Sequence, residues 1–584
     1  KHKLKLAKER GLQANIKALE KSLPKDKTKD QVKPNIRGMW MPPEIFTEFL
    51  QAIGYQDAKV SVIASQGILQ ASGETLAMTD FGIQFRHGKR TPLDMFNSQA
   101  SGKPIIISVT SNGSTYKDEQ GTKEVNALAE RMGKAFQEWA YSDDNRVKRI
   151  VDAFNQNMNT HTPRTFDGVK YLKPVGASPS VVLRRTQLDG AWRMMQEKTM
   201  LADHVVGAGK TFTLITGIME RRRMGLSRKP MVVVPNHLVT QWARDFYKLY
   251  PGAKVLAANP ADFAMKNCRR LLARIATGDY DAVIVGHTSI GFMETPTQDL
   301  KAIVDEKLAG LKQALAEARL NNESKRTLGQ IEDRIDRYEE RLKELAARPT
   351  DDIGIDFKAL GIDHLSVDEA HEFKNLEYST SGDRVVGMND HNGSKKAFDL
   401  YSKVRGLLSR GGGVTFATGT PVSNSLVEIY TMMSYLAHDE LVLRGQEHFD
   451  SWSGAYAATE TRLEYTATQK LKPRRVLAGL NNLSALRQLY EQFADIITMS
   501  DLKRIYTEEM EAKNRLMDDR SIHGPRPRTD FPIPKVANGK RELIAGDITP
   551  AQKEYMDYLV ARMGQIEQKK SDKEYMRIDN ALNV

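Results

Sequence analysis

Two short segments carry residue types that could do phosphate chemistry. In residues 205–211 (VVGAGKT), Gly207 and Gly209 free successive backbone N–H groups to approach phosphate oxygens, and Ala208 between them adds little bulk. A helical stretch follows at 212–223, so its positive N-terminal end is aimed at the same place. Lys210 can reach the outer phosphates, and the Thr211 hydroxyl can ligate Mg²⁺. The pattern G-x-x-x-x-G-K-[ST] is incomplete, because His204 stands where its first glycine belongs. The second segment, residues 365–371 (LSVDEAH), ends an apolar run on two carboxylates. Asp368 can organise a Mg²⁺ shell, and Glu369 can orient and deprotonate an attacking water. The two segments together predict an ATP-hydrolysing enzyme with Lys210, Asp368 and Glu369 as catalytic residues. Its cofactors are ATP and Mg²⁺, with Thr211 and Asp368 toward the metal.

These segments need a scaffold that brings them together. The apolar runs MVVVP (231–235), AVIVG (282–286), LSVDEA (365–370) and VTFATG (414–419) alternate with helical stretches. Continuous β-branched runs of this kind predict a parallel sheet covered by helices on both faces, an α/β core. Residues 300–347 interrupt it. Val304, Leu308, Leu311 and Leu315, then Ile331, Ile335, Tyr338, Leu342 and Leu345, recur at heptad spacing among charges. They predict an antiparallel helical hairpin turning near Asn321 and Asn322, either a partner-docking arm or a solvated decoration. Upstream, residues 38–145 read as an α+β unit, with strands near 60–65 and 104–109, a helix at 124–141, and no chemical signature. A spacer or docking domain is expected there. Downstream, residues 437–540 read as a helical connector with a Pro-rich basic stretch at 524–535. A strand and helix after it look like the start of a second α/β domain.

The bulk properties of the 584 residues narrow the class. There are 86 Lys+Arg against 74 Asp+Glu, a net charge of +12, and residues 1–37 alone hold twelve basic and four acidic side chains. Leu12, Ile16, Leu19 and Leu23 allow an amphipathic helix in that segment, which reads as a solvated linker or a nucleic-acid arm. Cys268 is the one cysteine, which argues against an intrachain disulfide or a multi-cysteine metal cage. No uninterrupted apolar run reaches the ~20 residues of a membrane span. The chain opens on Lys1 with KHKLKLAKERG, unlike a secretory signal, and an internal piece of a longer polypeptide is expected. His204 and His371 lack partners at metal-ligand spacing, so no zinc site is expected. Trp242 reads as core or interlobe packing ahead of base stacking, a Met-rich helix carrying Met194, Met195 and Met200 reads as core packing, and residues 411–413 read as a turn.

The ordered motifs resemble superfamily 2 helicases, and within them the Swi/Snf-like double-stranded DNA translocases. The resemblance rests on GAGKT, on DEAH and on residues 417–428 (ATGTPVSNSLVE). It also rests on LRRTQ at 183–187, VVPNHL with Gln241-Trp242, and His287-Thr288-Ser289. It implies a RecA-like P-loop lobe at 180–436, carrying the hairpin at about 300–347. The lobe would follow a basic helical linker at 1–37 and an α+β domain at 38–179, and precede a connector at 437–540 and the start of a second RecA-like lobe at 541–584. By the same resemblance Gln187 reads adenine, while His371, Thr418, Gly419 and Thr420 couple nucleotide state to lobe closure. Pro235, Asn236, Gln241, Thr288, Ser289 and Asn424 would meet double-stranded DNA.

More broadly, the chain is similar to the helicase part of large phage and plasmid proteins in which an adenine methyltransferase precedes the motor, the antirestriction DarB-like group. FNQN (154–157) through RTFDG (164–168), and HFDSW (448–452), support it. That resemblance implies phage or restriction-related partners, a methyltransferase module in the same polypeptide, no membrane, and a place in the bacterial cytoplasm or the phage particle. No Q-x-x-G-R-x-x-R-like segment is present. The second lobe's arginine finger, worth about 10³–10⁵ in rate, is therefore missing, and the chain alone is expected to bind ATP and hydrolyse it slowly. The competing reading is a nucleotide-binding scaffold or switch of a phage particle or defence assembly. The intact Asp368–Glu369 pair argues against it.

Overall fold

In the computed structural model the described residues are 2–568, without 64–66, 75–78, 112–113, 321–324, 348–354, 379–392, 423–426, 466–470, 520–525, 530 and 533–545. They form two compact units, Lys1–Ala458 with Gly479–Met499, and Thr459–Ala478 with Ser500–Val584.

The first unit is organised by a seven-stranded sheet: β1 (Thr199–His204), β2 (Pro230–Val234), β3 (Val255–Ala258), β4 (Ala282–Gly286), β5 (His364–Asp368), β6 (Gly413–Thr418) and β7 (Ala494–Ile497). The order is β7-β1-β6-β5-β2-β4-β3, and all six pairings are parallel. Every residue of β2, β4, β5 and β6 is buried, as continuous apolar runs require when helices cover both faces. The alternation is visible along β2. Val232 and Val234 join one core with Leu214, Ile218, Trp242 and Phe246, carried by helices α2 (Lys210–Arg223) and α3 (Val239–Leu249). Met231 and Val233 face the other core, with Ile275, Val404 and Leu407. Helix α1 (Arg185–Gln196) packs so closely on α2 that a Cβ at Gly217 would lie 2.3 Å from Met194 Sδ. This is the α/β core, a parallel sheet covered by helices on both faces, that the runs predicted.

Three differences from the sequence reading have local causes. The sheet continues past residue 436, because β7 pairs with β1 from within the segment read as a helical connector. That segment also holds a two-stranded sheet, Ala457–Tyr465 with Leu471–Leu480. Met200 is buried, but in β1 rather than in a helix with Met194, because the helix stops at Gln196.

The hairpin is present as α4 (Thr297–Leu320) and α5 (Lys325–Ala347). Lys312 pairs with Glu339 and Arg319 with Glu332, which makes the two helices antiparallel. The turn expected at Asn321 and Asn322 lies outside the described residues. At its base, Lys307 Nζ sits 2.9 Å from Glu377 Oε1, and the Tyr338 hydroxyl donates to the same carboxylate.

Upstream, helices Pro43–Ala52, Pro92–Ser101, Glu119–Tyr141 and Asp144–Asn157 accompany two antiparallel strand pairs, Lys59–Ile63 with Ile68–Ser72 and Ile107–Ser111 with Ser114–Asp118. Their core is aromatic, with Phe46 stacked on Phe136 at 5.5 Å and Trp40 edge-on to Phe154 at 5.2 Å. In the second unit the described helices are Met499–Asp519 and Pro550–Gln568, and the strand expected at 541–545 lies outside the described residues. No described helix is long and apolar enough to cross a membrane.

Candidate nucleotide-binding site

The chemically equipped segments all follow the carboxyl ends of sheet strands, the edge where open α/β sheets bind ligands. The glycine loop leaves β1. Gly207 and Gly209 have φ of +87° and +89°, a left-handed backbone that side chains resist. At Gly207 an added Cβ would point into open space, whereas at Gly209 it would lie 2.3 Å from Gln187 Nε2. Gln187 is buried against the loop: its Oε1 accepts the Arg184 N–H (2.8 Å) and its Nε2 donates to the Gly209 carbonyl (3.1 Å). It therefore braces the start of α1 and the glycine turn at once. Lys210 Nζ donates to the His204 carbonyl (3.0 Å), and Thr211 follows it, half-buried, in the first turn of α2. With the Ala208 N–H turned onto the Val205 carbonyl (3.1 Å) and a helix N-terminus and one ammonium at this turn, the donor set fits a polyphosphate.

β5 supplies the carboxylates. Asp368 is 5% exposed, and both its oxygens are engaged: Oδ2 accepts Trp242 Nε1–H (3.0 Å) and Oδ1 accepts the Glu369 N–H (3.0 Å). Burial raises the Asp368 carboxyl above its ordinary range, and the neighbouring Glu369 charge adds to this. The two donors and Lys210 oppose it. Glu369 adopts φ +49°, a strained conformation for a residue with a side chain and one that concentrates at functional sites. Its Oε2 lies 3.2 Å from His371 Nδ1, which is 3.0 Å from Thr418 Oγ1. Thr418 in turn accepts the Thr420 N–H (3.1 Å). At Gly419 a Cβ would lie 3.3 Å from Lys210 Nζ and 3.1 Å from Val206 Cγ2. The ends of β1, β5 and β6 thus meet around one ammonium, one acidic pair and one imidazole. Among the described residues no group of three or more His, Cys, Asp or Glu is placed to hold a metal by itself. Thr211 and Asp368 would hold Mg²⁺ only together with a bound phosphate, as is usual for this ion.

Two further turns leave β2 and β4. Pro235 precedes the short turn Asn236–Leu238, and Asn236 and Gln241 are exposed. Asn236 Oδ1 accepts both the Thr288 N–H (3.3 Å) and the Thr288 hydroxyl (3.2 Å), joining the turns. Thr288 is exposed, but Ser289 is completely buried, so its side chain does not offer the expected DNA contact. Asn424 lies outside the described residues.

Sequence reasoning missed several participants. Trp242, read as packing alone, donates its indole N–H to Asp368. His287 is buried beside Asp368, its Nε2 donating to the Asp368 carbonyl (2.8 Å), and burial lowers its pKa to about 4. His204 Nε2 contacts Asp495 Oδ2 at 2.7 Å, and Arg193 lies 3.5 Å from the same carboxylate. These partners hold Asp495 below its ordinary range against the effect of burial. No spacing signal connects residues 291 positions apart.

Comparison with known proteins places these features. Residues 192–498, more than half of the chain, match the model of a probable helicase domain, and residues 35–160 match a domain of unknown function, DUF8437. The chain is 22% identical over 544 residues to Defense against restriction protein B of Escherichia phage P1, covering 81% of this chain and 23% of that protein. It therefore spans about a quarter of that relative's length. A solved structure of the Sulfolobus solfataricus SWI2/SNF2 ATPase core in complex with dsDNA aligns at 13% identity and a TM-score of 0.30, covering 60% of this chain and 56% of the other.

Proposed function

Because the chain belongs to the probable helicase domain family through residues 192–498, we propose that its RecA-like lobe is the ATPase core of a Swi/Snf-like motor that moves on double-stranded DNA in phage antirestriction. ATP and Mg²⁺ bind at the glycine loop: Gly207 and Gly209 present backbone N–H groups, Ala208 between them keeps the turn closed through its N–H to the Val205 carbonyl (3.1 Å), Lys210 leaves the His204 carbonyl for the phosphates, and Gln187 lies against the loop on the adenine side. Thr211 and Asp368 hold the metal shell, and Glu369 activates water. His371 with Thr418–Thr420 reports the nucleotide state, and Pro235, Asn236, Gln241, Thr288 and Asn424 meet the duplex backbone. The arginine finger comes from a second lobe, a methyltransferase module shares the polypeptide, and the motor works in the host cytoplasm or is carried in the phage particle.

The observation that carries this reading is the meeting of three neighbouring strand ends, where Lys210, Gly419 and the Asp368–Glu369 pair converge. A scaffold has no need of a strained general base beside a raised carboxyl. Calorimetric titration with Mg·ADP tests the site: the chain should bind, and Lys210→Ala should weaken binding at least tenfold. Glu369→Gln should bind as well as the parent. In a polypeptide carrying both lobes, it should lose about 10²–10⁴ in duplex-stimulated turnover, the usual contribution of a general base. Unchanged turnover in Glu369→Gln would remove Glu369 as the base, and no turnover of the parent with any nucleic acid would leave the scaffold reading in possession. Duplex binding through backbone contacts should fall steeply with salt and ignore sequence.

A further inference from the structure

Resting on that reading, we propose that Trp242 and His287 are positioning residues that link the duplex-facing turns to the metal carboxylate Asp368. Each is the immediate chain neighbour of a residue assigned to the duplex: Trp242 follows Gln241, and His287 precedes Thr288. Gln241 and Thr288 are exposed, whereas Trp242 and His287 turn inward and are 2% and 6% exposed. Both inward side chains end on Asp368, the indole on its Oδ2 and the imidazole on its backbone carbonyl. A carbonyl oxygen only accepts, so His287 carries its proton on Nε2 in this contact.

The two turns are also locked to each other. The His287 N–H donates to the Val234 carbonyl (2.8 Å), and Asn236 Oδ1 receives two bonds from Thr288. A Cβ at Gly286 would lie 2.2 Å from that Asn236 oxygen, so the turns touch with no room between them. A shift in either turn therefore moves the donors on Asp368. With the Glu369 N–H on Oδ1 and the indole on Oδ2, the rotation of the carboxylate is fixed from two sides. Bonds of this kind behind a metal ligand typically change metal affinity by about 10–100-fold when removed.

Trp242→Phe keeps an aromatic ring in the apolar cluster and deletes the N–H together with part of the indole's volume, so its melting temperature is read beside its metal binding. His287→Leu deletes the second donor, and His287→Gln offers an amide N–H in its place. Electron paramagnetic resonance of Mn²⁺ titrated into the full chain with saturating ADP reads metal binding directly. Trp242→Phe and His287→Leu should weaken Mn²⁺ about tenfold, His287→Gln should recover most of the loss, and adding duplex DNA should change Mn²⁺ affinity in the parent but not in Trp242→Phe. A Trp242→Phe protein that melts lower yet binds Mn²⁺ within twofold of the parent would make the tryptophan a packing residue and overturn the proposal. Lys210→Ala separates the two levels. If it binds Mn·ADP as the parent does, the nucleotide site itself is wrong; if it loses binding while Trp242→Phe does not, the positioning role alone is wrong.

Discussion

The two ends of the seven-stranded sheet use their polar groups in opposite ways. At the amino ends, charge is closed onto backbone. Asp363, just before β5, accepts from Ser227 Oγ (2.5 Å), the Arg228 N–H (2.5 Å) and the Lys229 N–H (3.1 Å). Lys229 Nζ donates to the Ile275 and Ala276 carbonyls (2.8 and 2.6 Å) in the last turn of helix Met265–Thr277, where a cation suits the helix dipole. Arg221 donates to the Met194 carbonyl (2.7 Å). At the carboxyl ends, Gly207 stands open, Glu369 is held left-handed, and the Asp368 carboxyl is pushed upward. One end fastens strands and helices together, and the other stores strain and a shifted carboxyl. Strained backbone in a residue with a side chain is costly and concentrates at functional sites, so Glu369 beside the raised Asp368 carboxyl makes the carboxyl edge the candidate site.

The largest effect expected from breaking the sealed end comes from Asp363→Ala. It leaves three donors without their acceptor, and at the cost of a lost partner for each, stability should fall by about 3 kcal/mol. Urea unfolding measures that loss. Mg·ADP affinity of the folded protein should stay within twofold of the parent; if the affinity collapses while the chain remains folded, the two ends are not functionally distinct.

His364, at the first position of β5, gives the sealed end a pH signature. It is 1% exposed, its Nε2 lies 3.2 Å from Thr415 Oγ1, and burial with the nearby Arg221 charge holds its pKa well below the ordinary value. The folded chain keeps this imidazole neutral, whereas in the unfolded chain it protonates near pH 6.5. Below that pH the unfolded state binds more protons, so stability is full above about pH 6.5 and declines as the pH falls, by up to about 1.4 kcal/mol per unit. His364→Gln should show a shallower decline between pH 6.5 and 5 in urea midpoints. Parallel curves for the two proteins would mean that His364 does not titrate in this way.

What could be read from the sequence follows the same division. The carboxyl edge was legible because its chemistry is local: GAGKT and DEAH each place their donors and acceptors within a few residues, and β2 and β4 announce themselves as unbroken apolar runs. β7 was not legible, since four residues that include Asp495 carry no pattern. Its place beside β1 is set by parallel pairing with Ala202 and Asp203 and by the contact with His204, nearly 300 residues earlier. Ser289 was misjudged for a related reason, because the turn after β4 decides which of two adjacent hydroxyls faces outward. Trp242 was read correctly as buried, yet burial concealed the one polar atom that matters, its N–H toward Asp368.

The finest comparison uses two glycines at opposite ends of α2. Gly207 precedes the helix with φ +87° and Gly225 follows it with φ +70°, and an added Cβ at either meets no atom within 4 Å. Alanine at each position imposes backbone strain alone, so Gly207→Ala and Gly225→Ala should each lower stability by about 1 kcal/mol. The empty space differs in meaning. Beside Gly207 it is where the phosphates would lie, next to the helix N-terminus and Lys210, and a methyl there displaces them. Beside Gly225, ahead of β2 on the sealed end, nothing is displaced. Gly207→Ala should therefore weaken Mg·ADP about tenfold while Gly225→Ala leaves it unchanged, with melting temperatures lowered alike. Equal nucleotide affinities in the two variants would show that the left-handed glycine at 207 shapes only the chain, and that the phosphate cradle lies elsewhere on the carboxyl edge.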